Sequence, residues 1–201
     1  MEFSEVVRRR RMVRNYAEDP VDAAALERIL DAGMRIPTAG FSQGVFLIAV
    51  TDQDIRSEIA ALSGEANYVE MGMDPWISRA PVHIVVWVSS QVYADRYSEE
   101  DKGGPDSPLA TAENWQVPYW WVDGGAAMQN LLLAAVDEGL AAGFLGSHRM
   151  PEIKTLLGIP DDVAPIGIVT IGHPAPDRKS GSLKRGRRPD IIHRERWQAG
   201  D

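Results

Sequence analysis

The chain has 201 residues, 44% hydrophobic and 25% charged, which is ordinary for a globular protein and long enough for one domain to bury a core unaided. It has no cysteine, which excludes disulfides, thiolate nucleophiles and cysteine-ligated metals, and no apolar run near the ~20 residues that a membrane helix needs. The formal net charge of −8 and a pI of about 5.0 argue against binding a polyanion over any broad surface.

In chain order, Phe3, Val6, Val7 and Arg10 fall at helical spacing and predict a first helix to about Val13. The acidic Met-Glu-Phe-Ser-Glu start has no apolar signal core, so a cytoplasmic protein is expected. A second helix opens after Pro20 with Asp22 as its cap, buries Leu26, Ile29 and Leu30, and stops before Pro37. Val45 to Val50 and Val82 to Val88 read as buried strands, with a helix from Asp54 to Leu62 between them. From Ser89 to Val117 the pattern dissolves into a polar stretch, which reads equally as a lid or as disorder. Trp120 to Gly139 predicts the longest helix, its Ala-rich face suited to close packing in the core or at a subunit interface. Leu140 to Gly146 reads as a strand, Pro151 to Leu157 as a helix and Val163 to Gly172 as the last core strand. Helices and strands interleave without enough βαβ units for a doubly wound sheet.

The cations are unevenly placed. Of 21 Lys and Arg, five lie in the first fourteen residues (Arg8, Arg9, Arg10, Arg11, Arg14) and eight between Arg178 and Arg196. The intervening stretch holds eight cations against 24 of the 29 acids. Solvated surface is one reading. If both ends meet in the fold, a bound phosphate is the other, because arginine presents a rigid fork of donors that suits it.

Several catalytic patterns fail on inspection. Gly40-Phe41-Ser42-Gln43-Gly44 spells a nucleophile elbow, but here the serine follows a helix and precedes a strand, the reverse of what the elbow needs. Gly181 to Arg188 has Gly-Arg-Arg where a phosphate loop requires Gly-Lys-Ser/Thr, and no G-x-G-x-x-G occurs. The four histidines lack metal-ligand spacing, and His83 reads as a core residue within a strand. With no acid/base pair in view, a catalyst built on this chain would rely on a cofactor.

The motifs that remain fall into a known order. Arg10-Arg11-Met12-Val13-Arg14-Asn15-Tyr16 resembles the opening motif of the nitroreductase family of flavin enzymes. Ile36-Pro37-Thr38-Ala39-Gly40-Phe41-Ser42-Gln43 resembles its second motif. The helix bearing Asp123, Gln129 and Asn130 is similar to the family's central helix, and Leu156 to Pro160, Ile168 to Pro174 and Arg187-Arg188-Pro189 to its closing segments. The resemblance covers essentially the whole chain. It departs at Met12, where serine is common, at Phe41, where asparagine is usual, and at Gly44, where proline often follows.

The resemblance implies an α+β fold with a mixed central sheet flanked by helices. It implies a single domain over 1–201, with 89–117 a lid or excursion and 178–201 a C-terminal arm. It further implies an intertwined homodimer, with no nucleic acid or membrane as partner, and one flavin mononucleotide (FMN) at each of two subunit interfaces. A deazaflavin is the alternative cofactor, and NAD(P)H the co-substrate. Arg10, Arg11, Arg14, Arg185 and Arg187 would hold the phosphate. Pro37, Thr38 and Ala39 would pack beside the ring system from the partner subunit, and backbone groups of Phe144, Leu145 and Gly146 would face its reactive nitrogen. Gln43 and Gln129 are further polar contacts, and Phe41, Trp115, Tyr119 and Trp120 the expected substrate-facing aromatics. No catalytic side chain or metal is implied. The implied activity passes hydride from a nicotinamide donor to a flat, electron-poor nitroaromatic- or quinone-like acceptor. The alternatives are a flavin-dependent oxidase or dehydrogenase of a natural-product amide, or a non-catalytic flavin-binding protein.

Overall fold

A computed structural model of the chain describes residues 1–176, 186 and 191–197. The elements are α1 (Phe3–Arg9), α2 (Ala23–Met34), β1 (Val45–Val50), α3 (Gln53–Leu62), α4 (Glu65–Glu70), α5 (Trp76–Arg79), β2 (Val82–Val88), α6 (Ser90–Tyr97), α7 (Tyr119–Asp137), β3 (Ala141–Leu145), α8 (Met150–Leu156) and β4 (Ala164–Gly172). The strands form one sheet in the order β1-β2-β4-β3. This is the expected α+β arrangement, although each pairing among the described residues is antiparallel rather than mixed in direction.

The sheet is the middle of three layers. Side chains alternate across a strand, and β2 shows it plainly. Val82, Ile84, Val86 and Val88 join Leu26, Ile29 and Leu131 under α2 and α7, whereas Val85 and Trp87 join Ile59, Ile77 and Ile153 under α3, α5 and α8. With both faces covered, every residue of β2 is buried, which explains why it is apolar on both faces apart from His83.

Glycine lets α7 lie close to its neighbours. A Cβ on Gly124 would fall 2.8 Å from Ile166 and Val88, and one on Gly33 of α2 would fall 2.5 Å from Leu131. Asn130 then donates from α7 to the carbonyls of Ala32 and Arg35, tying the two helices together at the end of α2.

One sequence expectation is corrected, and one of two open readings is removed. Helix α1 ends at Arg9 rather than near Val13, because the next residues are drawn to the sheet edge. Val13 N–H donates to Ala142 of β3, Ala17 N–H to His173, and Ala175 N–H to Asn15, with Tyr16 bridging to Pro174. The 89–117 stretch is not disordered. Ser89 caps α6, three short 3-10 turns follow, and buried Trp115 anchors them by donating from Nε1 to Leu109 O at 2.8 Å. No described helix is long and apolar enough to cross a membrane.

Candidate functional site

The arginine motif is positioned by Tyr16. Its buried hydroxyl lies 2.8 Å from Thr170 Oγ1 and donates toward the carbonyls of Val13 and Thr170. Burial pushes this phenol's pKa up, so the hydroxyl stays neutral and serves as a fixed pin. Gly143 permits the close approach, since a Cβ there would stand 2.5 Å from Val13 O.

Pinned in this way, the segment runs along the sheet edge, with Val13 N–H bonded to Ala142 O. Arg11 and Val13 turn, with Arg8, Arg9 and Pro174, into a cavity of about 500 Å³. Arg10, Met12 and Arg14 do not line it; Met12 packs against the α2/α7 core, while Arg14 lies over Trp76 of the opposite core. Among the described residues neither Arg10 nor Arg14 forms an ion pair with a carboxylate, and the Arg14 guanidinium lies 5.7 Å from the Trp76 ring centre. Two unpaired guanidinium groups on a hydrogen-bonded segment are suited to a phosphate. Arg185 and Arg187, expected to converge on the same group, lie outside the described residues.

β3 presents backbone rather than side chains. Phe144 packs into the core under α2 and α7, and Leu145 into the opposite core. Gly146, just past the strand, has no atom within 4 Å of where a Cβ would stand, so a flat group can approach its backbone. These features, together with Arg10 and Arg14, are of the kinds that suit the ring and phosphate of a flavin.

The second motif forms a tight loop between α2 and β1. Thr38 O accepts from Phe41 N–H at 2.8 Å, and Thr38 Oγ1 accepts from Gln43 N–H at 3.2 Å. Gly40, Phe41 and Gln43 all have left-handed backbones, with φ of 64°, 57° and 57°. Asp123 of α7 accepts from Ala39 N–H at 3.0 Å and from the Tyr93 hydroxyl at 2.7 Å. Burial first, and then the Asp123 carboxylate, push the Tyr93 phenol's pKa well up. Ser42 is buried and donates to Ala39 O at 2.6 Å, which disposes of it as a nucleophile.

The loop leaves Pro37 and Gln43 exposed, and Phe41 73% exposed. Gln129 is likewise on the surface of α7. Of the expected substrate-facing aromatics, Tyr119 is half exposed. Trp115 and Trp120, each 8% exposed, instead pack edge-on against Tyr93 in their own chain's core, where indole surface is better buried than solvated. Sequence reasoning missed Asp123, Tyr93 and Arg96 as loop-holding residues. Asp123 is 84 residues from its backbone partner, and no spacing rule relates them.

Among the described residues no His, Asp or Glu cluster could hold a metal. The arrangement combines a phosphate-grade pair of arginines, an approachable backbone and a rigid loop, without an acid/base pair.

Comparison with known proteins agrees. The sequence profile of the Nitroreductase family matches residues 7–173. A Methanothermobacter thermautotrophicus protein, provisionally named an NADH dehydrogenase/NAD(P)H nitroreductase, is 29% identical over 98% of this chain and 88% of its own. The structure of the hypothetical oxidoreductase YcnD from Bacillus subtilis superposes with a TM-score of 0.78 at 27% identity, covering 99% of this chain and 76% of that one. Nitroreductase A from Vibrio parahaemolyticus gives a TM-score of 0.75 at 26% identity, covering 99% and 78%. The chain belongs to the nitroreductase family and is an oxidoreductase.

Proposed function

We propose that this protein binds FMN and passes hydride from NADH or NADPH to a flat, electron-poor acceptor such as a quinone or nitroaromatic. The observation that carries the reading is that Arg10 and Arg14, on a segment that Tyr16 fixes to the sheet, form no ion pair with a carboxylate among the described residues. The nicotinamide donor is suggested by relatives named NAD(P)H nitroreductase and NADPH-dependent oxidoreductase.

The flavin, when bound, supplies the redox chemistry by accepting and returning two electrons. The chain's own part is to anchor, shape and exclude. Arg10 and Arg14 hold the phosphate. The exposed backbone at Gly146 offers a surface for the ring, and the N–H groups there would favour negative charge developing on it. No side chain is required to move a proton.

The site is completed by a second copy of the chain, which supplies the Pro37–Ala39 loop. Exposed Phe3, Val7 and Met34 support that assembly, as does a groove of about 380 Å³ lined by Phe3, Val6, Ala32 and Leu133. The whole chain acts as one domain, with 89–117 as an excursion that borders the acceptor side and 178–201 as an arm.

The deciding experiment is an absorption spectrum of the purified protein, mass spectrometry of the small molecule released by heat, and anaerobic addition of NADH or NADPH. FMN that bleaches with either donor supports the reading. A deazaflavin would replace the cofactor and keep the phosphate site. Retained flavin inert to both nicotinamides would overturn the donor assignment, and a protein that refuses flavin would overturn the whole.

A further inference from the structure

The loop from Thr38 to Gln43 holds more backbone strain than its connecting role requires. Phe41 and Gln43 adopt φ of 57°, where a side chain crowds its own carbonyl, and neither is glycine. Such conformations persist only where their surroundings over-determine them, and they gather at ligand-binding segments. Burial does not compensate at Phe41, whose ring faces solvent.

The loop is gripped from two sides. From α7, the Asp123 carboxylate takes Ala39 N–H, and is itself held by the hydroxyl of fully buried Tyr93. From α6, Arg96 Nε donates to Gly40 O at 2.9 Å. The terminal nitrogens of Arg96 are fixed in turn by Asp101, at 2.6 and 2.7 Å, and by Glu99 at 3.0 Å. The Tyr97 ring closes the remaining space, since a Cβ on Gly40 would stand 2.6 Å from it. The Arg96 fork thus joins the strained loop to the 89–117 excursion through one side chain.

We propose that Asp123 and Arg96 are positioning residues that hold this loop in its left-handed shape, so that the exposed Phe41 ring selects flat acceptors by their size. The inference rests on the reading of this loop as a wall of the acceptor site. An aromatic ring held still presents a stacking face without the cost of ordering it when an acceptor arrives. Deleting the ring, or freeing the backbone beneath it, has the same consequence for selection.

The test uses the flavin-loaded protein and two acceptors, a one-ring and a two-ring quinone. Phe41→Gly removes the ring and suits the backbone, so its melting temperature should hold or rise, while the two-ring preference in kcat/KM falls by about tenfold. Arg96→Met should lose the preference with flavin loading intact. Asp123→Asn, which keeps an acceptor oxygen, should retain more of the preference than Asp123→Ala.

Folded, flavin-loaded Phe41→Gly and Arg96→Met proteins with unchanged preference would overturn the clamp alone. So would a Phe41→Gly protein that melts as far below the parent as a core truncation, or one whose only change is a lost dimer. A parent protein with neither flavin nor turnover would overturn the site reading and the clamp's acceptor role together.

Discussion

Strand β2 and the Thr38–Gln43 loop solve opposite problems. In β2 every residue is buried, and every side chain but His83 repays its ordering with apolar contact on one sheet face or the other. In the loop, three residues have left-handed backbones and the largest side chain, Phe41, faces solvent. The strand is held by its own burial. The loop is held by groups that reach in from α6 and α7. Regular, buried structure answers to stability, whereas strain maintained from outside at an exposed aromatic answers to what binds there.

Substitutions that separate stability from activity sharpen this contrast, and the largest effect on stability belongs to the strand. Trp87→Ala empties a side chain that is almost fully buried and should cost about 3–5 kcal/mol, read as a large drop in the urea midpoint. An unchanged midpoint would break the comparison.

His83, in the same strand, makes the next largest difference. It is fully buried, with Nε2 lying 2.7 Å from Ile77 O, and desolvation lowers its pKa to about 4. The unfolded chain takes up the proton near pH 6.5, before the folded one does, so stability is full above that point. It should fall as pH drops from about 6.5 toward 4, by roughly 2–3 kcal/mol at pH 4.5. Urea titrations at pH 7 and pH 4.5 would measure the loss, and His83→Leu should flatten that part of the profile.

In the loop, Gly40→Ala meets the Tyr97 ring and a φ of 64°, and should cost about 1–2 kcal/mol in thermal stability. Its effect on acceptor kcat/KM should be proportionally greater than that of Trp87→Ala variants rescued at low temperature. The smallest effect is expected from Arg35→Ala. The Arg35–Asp31 pair is exposed on α2 and belongs to neither region, so the urea midpoint and turnover should both stay unchanged.

How much was legible in the sequence follows from the same division. β1 and β2 were readable to the residue, because a short apolar run bounded by turns has few other uses. Helix α2 and its Asp22 cap were readable too, and the cap's side chain does accept from Ala25 N–H. The end of α1 was not, because helical spacing continued past Arg9 while a hydrogen bond to Ala142, distant in sequence, took the chain elsewhere. α4 and α5 are too short to show a period, yet α5 carries Trp76, the ring under Arg14. The 89–117 stretch did hold a signal. Ser89 caps, and Tyr93 and Tyr97 are one helical turn apart, so an aromatic stripe was present beneath the polar composition. The loop's sequence motif was recognisable, but Asp123 and Arg96 come from elements that only the fold brings to it.

The pin at Tyr16 also has a consequence in time. Its partner Thr170 lies 154 residues later, so the motif bearing Arg10 and Arg14 cannot dock until most of the chain has been synthesised. At a typical pace of translation that interval is about 8–30 s. Throughout it the Tyr16 hydroxyl lacks its Thr170 partner, and β4, the last strand among the described residues, also pairs with both β2 and β3. Completion of the sheet and assembly of the phosphate face are therefore one late folding event. A chain truncated before β4 would fail at both together.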